Sequence, residues 1–305
     1  MIKNIIVDAG PFNWSCGGTT VQYYLCSLLD ELGMNVRIFV NGESIVNPIF
    51  SKFYDGGFDM NETLVIYGET VPHNKLGGHY VMRWILAPLG IHCNSSIYRS
   101  WGTKDLVYYF NNEEHFEQLQ EGVVKFLNTM YINPNFKKNN YNPRTLSVYT
   151  ERKKKLFTKT IIPIHPDGSQ LLPYSGFTHE NLITLFNQTD TFYCYDPLSF
   201  LVFIAAMCGC VSVVYKVEGK TKYDWLMTLS LSDYMKSRGI DNIYGIAYGV
   251  EDIQYARSTL HLVEEQWNDI KQYYKKNVAM FVEDLKNYDE LKNNVQNNYV
   301  TPLLK

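Results

Sequence analysis

The sequence predicts an α/β protein in which two domains are each built on a parallel β-sheet. Its 305 residues exceed one ordinary domain and fit two domains of roughly 150 residues each. β-Branched runs recur along both halves and alternate with stretches whose apolar residues have helical spacing. Such alternation indicates βαβ units, because parallel neighbours in a sheet need a crossover between them.

The first half begins with a βαβ unit whose helix starts after a glycine-rich loop. Gly17 and Gly18 precede a predicted helix whose apolar residues recur every three or four positions until Gly33 ends it. Such a loop is common at nucleotide and sugar sites, although no GxGxxG fingerprint is present. The segment 77–86 is interpreted as a helix or an extended element. Strands of this half are predicted at residues 2–7, 36–40, 63–67, 106–110 and 130–132.

A polar segment with prolines at residues 133–144 is interpreted as the linker to the second half. There the pattern predicts helices at 179–187 and 198–207 and a turn at 245–249. A long helix with apolar residues at three-four spacing follows over 253–285, either as core packing or as an arm across the other domain, with a coiled-coil partner as the alternative. Strands of this half are predicted at residues 145–150, 161–164, 190–195 and 211–215.

The stretch 190–215 carries the clearest ligand-binding pattern of the chain. Asp196 is a favoured N-cap residue and Pro197 suits the first helical position, so together they predict the start of the helix at 198–207. The turn before this helix lies at the carboxyl edge of the predicted sheet. A helix N-terminus there offers N–H groups and a partial positive charge to a ligand. We interpret this turn as a phosphate site.

Composition excludes several other classes of protein. The 28 basic and 31 acidic residues give a net charge of −3, which argues against a dedicated nucleic-acid binder. The six cysteines show neither CxxC pairing nor metal-ligand spacing and fit a reducing compartment. No signal peptide precedes the first strand, and Gly209 splits the longest apolar run, at 200–215, which is too short to span a membrane. We therefore expect a soluble cytoplasmic protein.

The segment YDPLSFLVFIAAMCGCVSVV at 195–214, with GIAYG at 245–249, resembles the donor domain of GT-B glycosyltransferases. It is most similar to small polysaccharide-associated transferases, and residues 64–90, 148–155 and the Gly17-Gly18 helix resemble the same group, so that the resemblance covers most of the chain. It implies two Rossmann-like domains that face each other across a cleft. It also implies an acceptor-side domain at 1–140, a nucleotide-sugar domain at 141–270 and a C-terminal helical segment at 271–305 that packs back on the first domain.

Some positions depart from the pattern of this group. Gly68 and Glu69 stand where proline and glutamate are expected, and Ala87 stands where asparagine is expected. Asp196 and Ala205 stand at or near the two places where many retaining enzymes of this fold have glutamates. The sequence therefore leaves open whether the configuration of the sugar is inverted or retained. The resemblance implies that no bound metal is needed, and the chain has no Asp-x-Asp motif of the metal-dependent transferases.

Glycosyl transfer requires departure of a nucleoside diphosphate, and positive side chains or helix N-termini must stabilise its growing negative charge. The basic run that begins at Arg152 could serve this purpose or could be a solvated surface, and Asp196 could contact the sugar or only cap its helix. The glycines could allow close approach of the backbone to the diphosphate or belong to an ordinary loop. The candidate donor-binding residues are Gly17, Gly18, Tyr149, Arg152, Lys153, Tyr195, Asp196, Pro197, Leu198 and Ser199.

An inverting mechanism needs a general base on the acceptor side. Glu69 is the first candidate because it directly follows a predicted strand, and Asp8 and His79 are the others. Each of the three lies at or near the end of a predicted element of the first domain, although a histidine at such a position is more often a packing residue. No metal ligands are predicted.

These patterns together predict a metal-independent glycosyltransferase that moves a hexosyl or pentosyl group from a UDP- or GDP-linked donor to a hydroxyl of a glycan or glycolipid. We expect no cofactor besides the nucleotide-sugar substrate and no nucleic-acid partner. The expected location is the cytoplasm, with peripheral association with a membrane as an option. The alternatives are a catalytically inactive GT-B-like scaffold, a carbohydrate-binding module, and another two-domain nucleotide-sugar enzyme such as an epimerase. The oligomeric state is not predicted.

Overall fold

A computed structural model of the protein describes residues 1–14, 16–43, 45–111, 125–140, 143–152, 162–173 and 177–288. The chain divides into two compact units. One unit consists of Met1–Tyr131 together with Gln272–Lys305, and the other of Ile132–Lys271. In the described residues, each unit contains one parallel sheet, and a long helix lies near the end of the described part of the chain, so the predicted α/β fold class is confirmed.

In the part of the chain that the structure describes, the sheet of the first unit has six strands, all paired in parallel. Its strands are β1 (Asn4–Ala9), β2 (Asn35–Val40), β3 (Thr63–Gly68), β4 (Tyr80–Ile85), β5 (Leu106–Tyr109) and β6 (Lys125–Phe126), and they lie in the order β2-β1-β3-β4-β5-β6. Helix α1 (Gly17–Glu31) connects β1 to β2. Short 3-10 helices lie at Met60–Glu62 and Ile97–Ser100. The buried β-branched and aromatic residues of these strands form the core of the unit.

In the described residues, the sheet of the second unit has five strands, again all parallel. In chain order the elements from residue 146 onward are β7 (Leu146–Thr150), β8 (Gln170–Leu171), α2 (His179–Gln188), β9 (Thr189–Cys194), α3 (Leu201–Met207), β10 (Val211–Val214), α4 (Lys222–Thr228), α5 (Ser232–Arg238), β11 (Ile246–Tyr248), α6 (Ile253–Thr259) and α7 (Val263–Lys286). Helix α7 begins in the second unit, and its residues from Gln272 onward belong to the first unit. The strand order is β11-β10-β9-β7-β8. Helix α2 begins with a capping box between Thr178 and Asn181.

The predicted long helix is present but interrupted. Its 3-10 turn at Leu260–Leu262 separates α6 from α7. Beyond that turn the three-four spacing is preserved, and Val278, Phe281 and Leu285 lie buried in the hydrophobic core of the first unit. In this part of the helix, the three-four spacing of apolar residues therefore reflects packing in the core, which was one of the predicted options.

The segment 77–86 contains a strand, β4, whose six residues are all buried, so the extended option of that prediction is confirmed. Other local predictions were wrong. The predicted turn at 245–249 contains β11, a strand of three residues between Gly245 at φ 72° and Gly249 at φ 86°. Residues 130–132 and 162–164 are irregular rather than strands. Residue 161 of the latter prediction lies outside the described residues.

Arg83 holds together the connection between β3 and β4, which contains no helix although all of its residues are described. The guanidinium is fully buried and donates from Nε to Asp105 Oδ2 at 2.7 Å. Its other nitrogens donate to the carbonyl oxygens of Val71 at 3.0 Å and His73 at 2.8 Å. The guanidinium carbon also lies 4.7 Å from the centre of the Tyr67 ring. One buried side chain thus fixes a loop that packs on the sheet in place of a crossover helix.

No helix in the described parts of the chain combines the length and the apolar character that crossing a membrane requires.

Removing the Arg83 guanidinium should destabilise the first unit strongly. Arg83→Ala leaves the Asp105 carboxylate buried without its cation, and breaking a buried ion pair in this way costs about 3–5 kcal/mol. Urea unfolding followed by circular dichroism measures the change. As a control, Lys52→Ala removes the exposed ion pair with Asp30 and should cost less than about 1 kcal/mol. Equal effects of the two substitutions would contradict the role assigned to Arg83.

Candidate functional site

Among the strands that the structure describes, each sheet has one place where the direction of strand addition reverses. In the first unit the chain adds β2 on one side of β1 and then β3 on the other side. In the second unit it adds β8 on one side of β7 and then β9 on the other. In open parallel sheets, ligands bind in the crevice outside the carboxyl ends of the strands that flank such a reversal. The β1/β3 edge and the β7/β9 edge are therefore the candidate sites of the two units.

At the β1/β3 edge, Glu69 directly follows β3 and is only 5% exposed. Its Oε2 accepts the backbone N–H of Leu86, the residue after β4, at 3.1 Å. Burial raises the pKa of Glu69, and the hydrogen bonds from the backbone N–H groups of Leu86 and of Glu69 itself oppose that change. The carboxyl group is thus held in place and binds a proton more readily than an exposed glutamate, which suits a general base.

Asp8 lies at the same edge but is already paired. It is buried near the end of β1, and Lys75 Nζ lies 2.9 Å from its Oδ2. Burial raises the pKa of Asp8, against the opposing effects of Lys75 and Arg83. None of the ion pairs between described residues involves Glu69. Of these two carboxylates, Glu69 is the better placed to take a proton from a substrate.

The structure does not bring His79 to this edge. His79 precedes β4, whose first residue Tyr80 pairs with Leu64 near the start of β3, whereas Trp84 pairs with Gly68 at the end of β3. At about 3.3 Å per residue, His79 is roughly 16 Å from the end of the sheet where Glu69 lies. Its ring contacts Tyr80 edge to face. His79 therefore does not share a site with Glu69.

Gly17 and Gly18 are the first two residues of α1 and lie beside Leu86. A Cβ at Gly18 would come within 3.7 Å of Leu86 Cδ1, and a Cβ at Gly17 would meet nothing within 4 Å. The N-cap residue Cys16 makes no side-chain capping hydrogen bond. The structure therefore brings the first turn of α1 close to the β1/β3 edge, with open space over Gly17.

At the β7/β9 edge, the side chain of His165 contacts two tyrosines, Tyr149 and Tyr195, from different segments. Tyr195 follows β9, is 1% exposed, and its hydroxyl oxygen lies 2.7 Å from His165 Nδ1. The His165 ring stacks on Tyr149 of β7, with 3.7 Å between the ring centres and 9° between the planes. Sequence reasoning missed His165, because it lies in an irregular segment and belongs to no recognisable motif.

Arg152 lies at the same edge, two positions after β7. Burial raises the pKa of the Cys194 thiol, at the end of β9, to about 12. The positive charge of Arg152 acts on the same thiol and has a smaller effect in the opposite direction. The Arg152 side chain is half-buried. The structure thus places Arg152 at the edge that also carries Tyr149 and Tyr195, while Lys153 lies outside the described residues.

The turn after β9 differs from the predicted phosphate site. Helix α3 begins at Leu201 rather than at residue 198, and its N-cap is Phe200. Asp196 therefore does not cap the helix. Its Oδ1 accepts the N–H of Leu198 at 3.0 Å, which closes a local turn of the kind that aspartate favours. A side chain that competes locally for backbone N–H groups has delayed the start of the helix.

The backbone groups of this turn are also occupied. The N–H of Ser199 donates to the Asp196 carbonyl oxygen at 3.1 Å, and the Ser199 hydroxyl accepts the N–H of Leu201 at 3.3 Å. The carbonyl of Pro197 accepts from Trp225 Nε1 at 2.9 Å. The N–H groups of Leu198 and Ser199, which the sequence pattern assigned to phosphate, thus already have partners within the turn.

Among the residues that the structure describes, no three His, Cys, Asp or Glu side chains are grouped so as to hold a metal ion. Metal independence stays a prediction.

No known protein family matches the chain, and no curated protein matches it. Solved structures that resemble it include a DNA-modifying β-glucosyltransferase studied with and without uridine diphosphoglucose, with 11% identity over 92% of this chain and 98% of that one and a TM-score of 0.48. A glycosyltransferase from Rickettsia africae ESF-5 has 10% identity, 95% and 98% coverage and a TM-score of 0.47. An α-glucosyltransferase bound to UDP and a 13-mer DNA has 11% identity, 92% and 94% coverage and a TM-score of 0.44.

These structural neighbours are glycosyltransferases, but none of the three TM-scores reaches 0.5. Similarity at this level does not identify the chemistry of the present chain. Two of the three are described with DNA, whereas the charge balance of this chain argued against a nucleic-acid partner. That exclusion stays a prediction.

The raised pKa of Glu69 should make stability depend on pH. Because the folded pKa lies above the ordinary value of 4.5, the folded state binds the proton more tightly, and this carboxyl group lowers stability as pH rises through that region. Glu69→Gln lacks the charge but can still accept the Leu86 N–H. Relative to the wild type, it should therefore become more stable as pH rises from about 4 to 7. Urea unfolding across that range tests this, and a difference that stays constant with pH would contradict it.

Proposed function

We propose that this protein is a glycosyltransferase that moves a sugar from a UDP- or GDP-linked donor to a hydroxyl of a glycan or glycolipid. The observation that supports it is the chemistry at the two strand-order reversals. One reversal carries Glu69, a buried carboxyl group with a raised pKa, and the other carries Arg152, Tyr149 and Tyr195. A base for an acceptor hydroxyl and a cation for a leaving diphosphate are the two groups that such a transfer needs.

In the proposed reaction, Glu69 removes the proton of the acceptor hydroxyl. The hydroxyl oxygen forms a bond to the anomeric carbon, and the bond between that carbon and the phosphate oxygen breaks. The electron pair leaves with the nucleoside diphosphate, and Arg152 stabilises the charge on it. The open space over Gly17 allows the backbone at the start of α1 to approach a substrate closely. A base on the acceptor side fits a mechanism that inverts the configuration of the anomeric carbon. The anomeric configuration of the product tests this.

A second candidate is a GT-B-like scaffold or carbohydrate-binding module without catalysis. The occupied N–H groups of Leu198 and Ser199 favour it, because the turn after β9 then offers no N–H from these two residues to a diphosphate. The two candidates differ in a simple assay. A transferase releases UDP or GDP from a donor when a panel of glycans and glycolipids is added, and a scaffold does not. Transfer to DNA alone, included in the same panel, would contradict the proposed class of acceptor.

Glu69→Gln should abolish most of the transfer without weakening donor binding. The amide preserves the hydrogen bond with Leu86 but cannot accept the proton of the acceptor, so kcat should fall about 10²–10⁴-fold. The Kd for the nucleoside diphosphate, measured by calorimetry, should not change. A variant with unchanged kcat would remove Glu69 from the mechanism, and Asp8→Asn measured in parallel would then show whether the other carboxylate of this edge serves instead.

Arg152→Ala should weaken binding of UDP or GDP. Loss of a hydrogen bond between a charged donor and a charged acceptor should raise Kd roughly 10–100-fold. The matched control is Lys236→Ala, which removes an exposed cation from α5 of the same unit and should leave Kd unchanged. Equal Kd values for the wild type and Arg152→Ala would contradict the proposed role. Measurements in EDTA and with added Mn²⁺ test metal independence in the same assay.

A further inference from the structure

Residues 162–165 are held across the carboxyl end of the second sheet by tyrosines from different strands. Tyr195, after β9, accepts the N–H of Ile164 at 2.8 Å. Tyr215, after β10, accepts the N–H of Ile162 at 3.3 Å and stacks on Tyr195 at 5.2 Å between ring centres. The segment therefore has a fixed position at the reversal point of the strand order, where a ligand of this sheet is expected.

The hydrogen bonds of the Tyr195 hydroxyl determine which nitrogen of His165 carries the proton. The backbone N–H groups of both Ile164 and His165 act on the phenol oxygen and lower the pKa of Tyr195, against the larger effect of burial, which raises it. With N–H groups directed at its lone pairs, the phenol donates its own hydrogen, and His165 Nδ1 lies 2.7 Å away. Neutral His165 then has Nδ1 as an acceptor and carries its proton on Nε2.

The orientation of the His165 ring is also fixed. Its face stacks on Tyr149 with 9° between the planes, and Nδ1 is turned towards Tyr195. The two nitrogens lie on different sides of an imidazole ring, so the Nε2–H group is directed away from Tyr195. His165 is half-buried and lies on the edge that also carries Arg152. This edge therefore presents a neutral N–H donor of fixed orientation together with a cation.

We propose that His165 donates a hydrogen bond from Nε2–H to a phosphate oxygen of the nucleoside diphosphate, with Tyr195 as the positioning residue that sets the tautomer. The inference rests on the proposed function and adds a specific donor-binding residue to it. Ionised phosphate oxygens only accept hydrogen bonds, so they match the Nε2–H donor of His165. The N–H groups of Leu198 and Ser199 already donate to Asp196. The Nε2–H of His165 would supply a hydrogen-bond donor in their place, in addition to Arg152.

The tautomer can be read without a ligand. Long-range ¹H–¹⁵N correlation spectra of ¹⁵N-histidine-labelled protein, recorded above about pH 8 to keep imidazoles neutral, should show His165 protonated on Nε2. Tyr195→Phe removes the hydroxyl and should return His165 to a mixture of both tautomers. A wild-type spectrum with the proton on Nδ1 would overturn the proposal.

Binding provides the second measurement. His165→Ala should raise the Kd for UDP or GDP roughly 10–100-fold, and Tyr195→Phe should raise it less. His165→Gln retains an amide N–H donor and should recover much of the affinity, whereas His261→Ala, which removes an exposed histidine of the same unit, should have no effect. Circular dichroism confirms that each variant is folded.

The corresponding nucleosides separate the phosphate from the rest of the ligand. His165→Ala should bind uridine or guanosine as the wild type does, and an equal loss for nucleoside and diphosphate would overturn the phosphate assignment. If the wild type binds UDP or GDP and His165→Ala binds it equally well, only this inference fails. If the wild type binds no nucleoside diphosphate, the proposed function fails and the inference fails with it.

Discussion

Parallel pairing places the carboxyl ends of all strands of a sheet at one edge, and every strand pair between described residues of this protein is parallel. Chemistry that needs several side chains from different strands can therefore assemble only along that edge. The strand order limits the position of a ligand site further. Among the described strands, the order in which the chain adds strands reverses at one point in each sheet. Glu69 and Arg152 follow strands that flank these reversals. His79, at the other end of β4, is excluded from the same site by the same constraint.

The loop that carries Glu69 depends on buried charge rather than on a helix. Between β3 and β4 the backbone is irregular, and Arg83 holds the carbonyl groups of Val71 and His73. Tyr67 adds a further contact by accepting the N–H of Leu76 at 2.8 Å. Burying a guanidinium is costly unless its N–H groups have hydrogen-bond partners. Movement of the loop would remove two of these partners from Arg83, so the loop is held in place. Glu69 thereby gains a fixed position without a helix on the following segment.

The sequence was sufficient to predict the elements that depend on local pattern. The strands β1, β3 and β9 and the helices α1 and α2 lie close to their predicted positions, because β-branched runs, apolar spacing and capping residues act within a few positions of the chain. The placement of Glu69 after a strand followed from the same pattern. Elements that depend on distant partners were missed. β11 is only three residues long and is defined by its pairing with β10, and His165 acquires its role only through Tyr149 and Tyr195.

The misplaced helix start at Asp196 has a chemical consequence. An aspartate before a proline can cap a helix or close a turn on itself, and the two outcomes look alike in sequence. Here Asp196 closes the turn, so the N–H groups of Leu198 and Ser199 are used within it. Helix α3 begins later, at Leu201, and has seven residues. If the second sheet binds a diphosphate as proposed, side chains have to replace the N–H groups of Leu198 and Ser199. Arg152 and His165 are the side chains proposed for this purpose, and both lie on the connection between β7 and β8, Arg152 just after β7 and His165 five residues before β8.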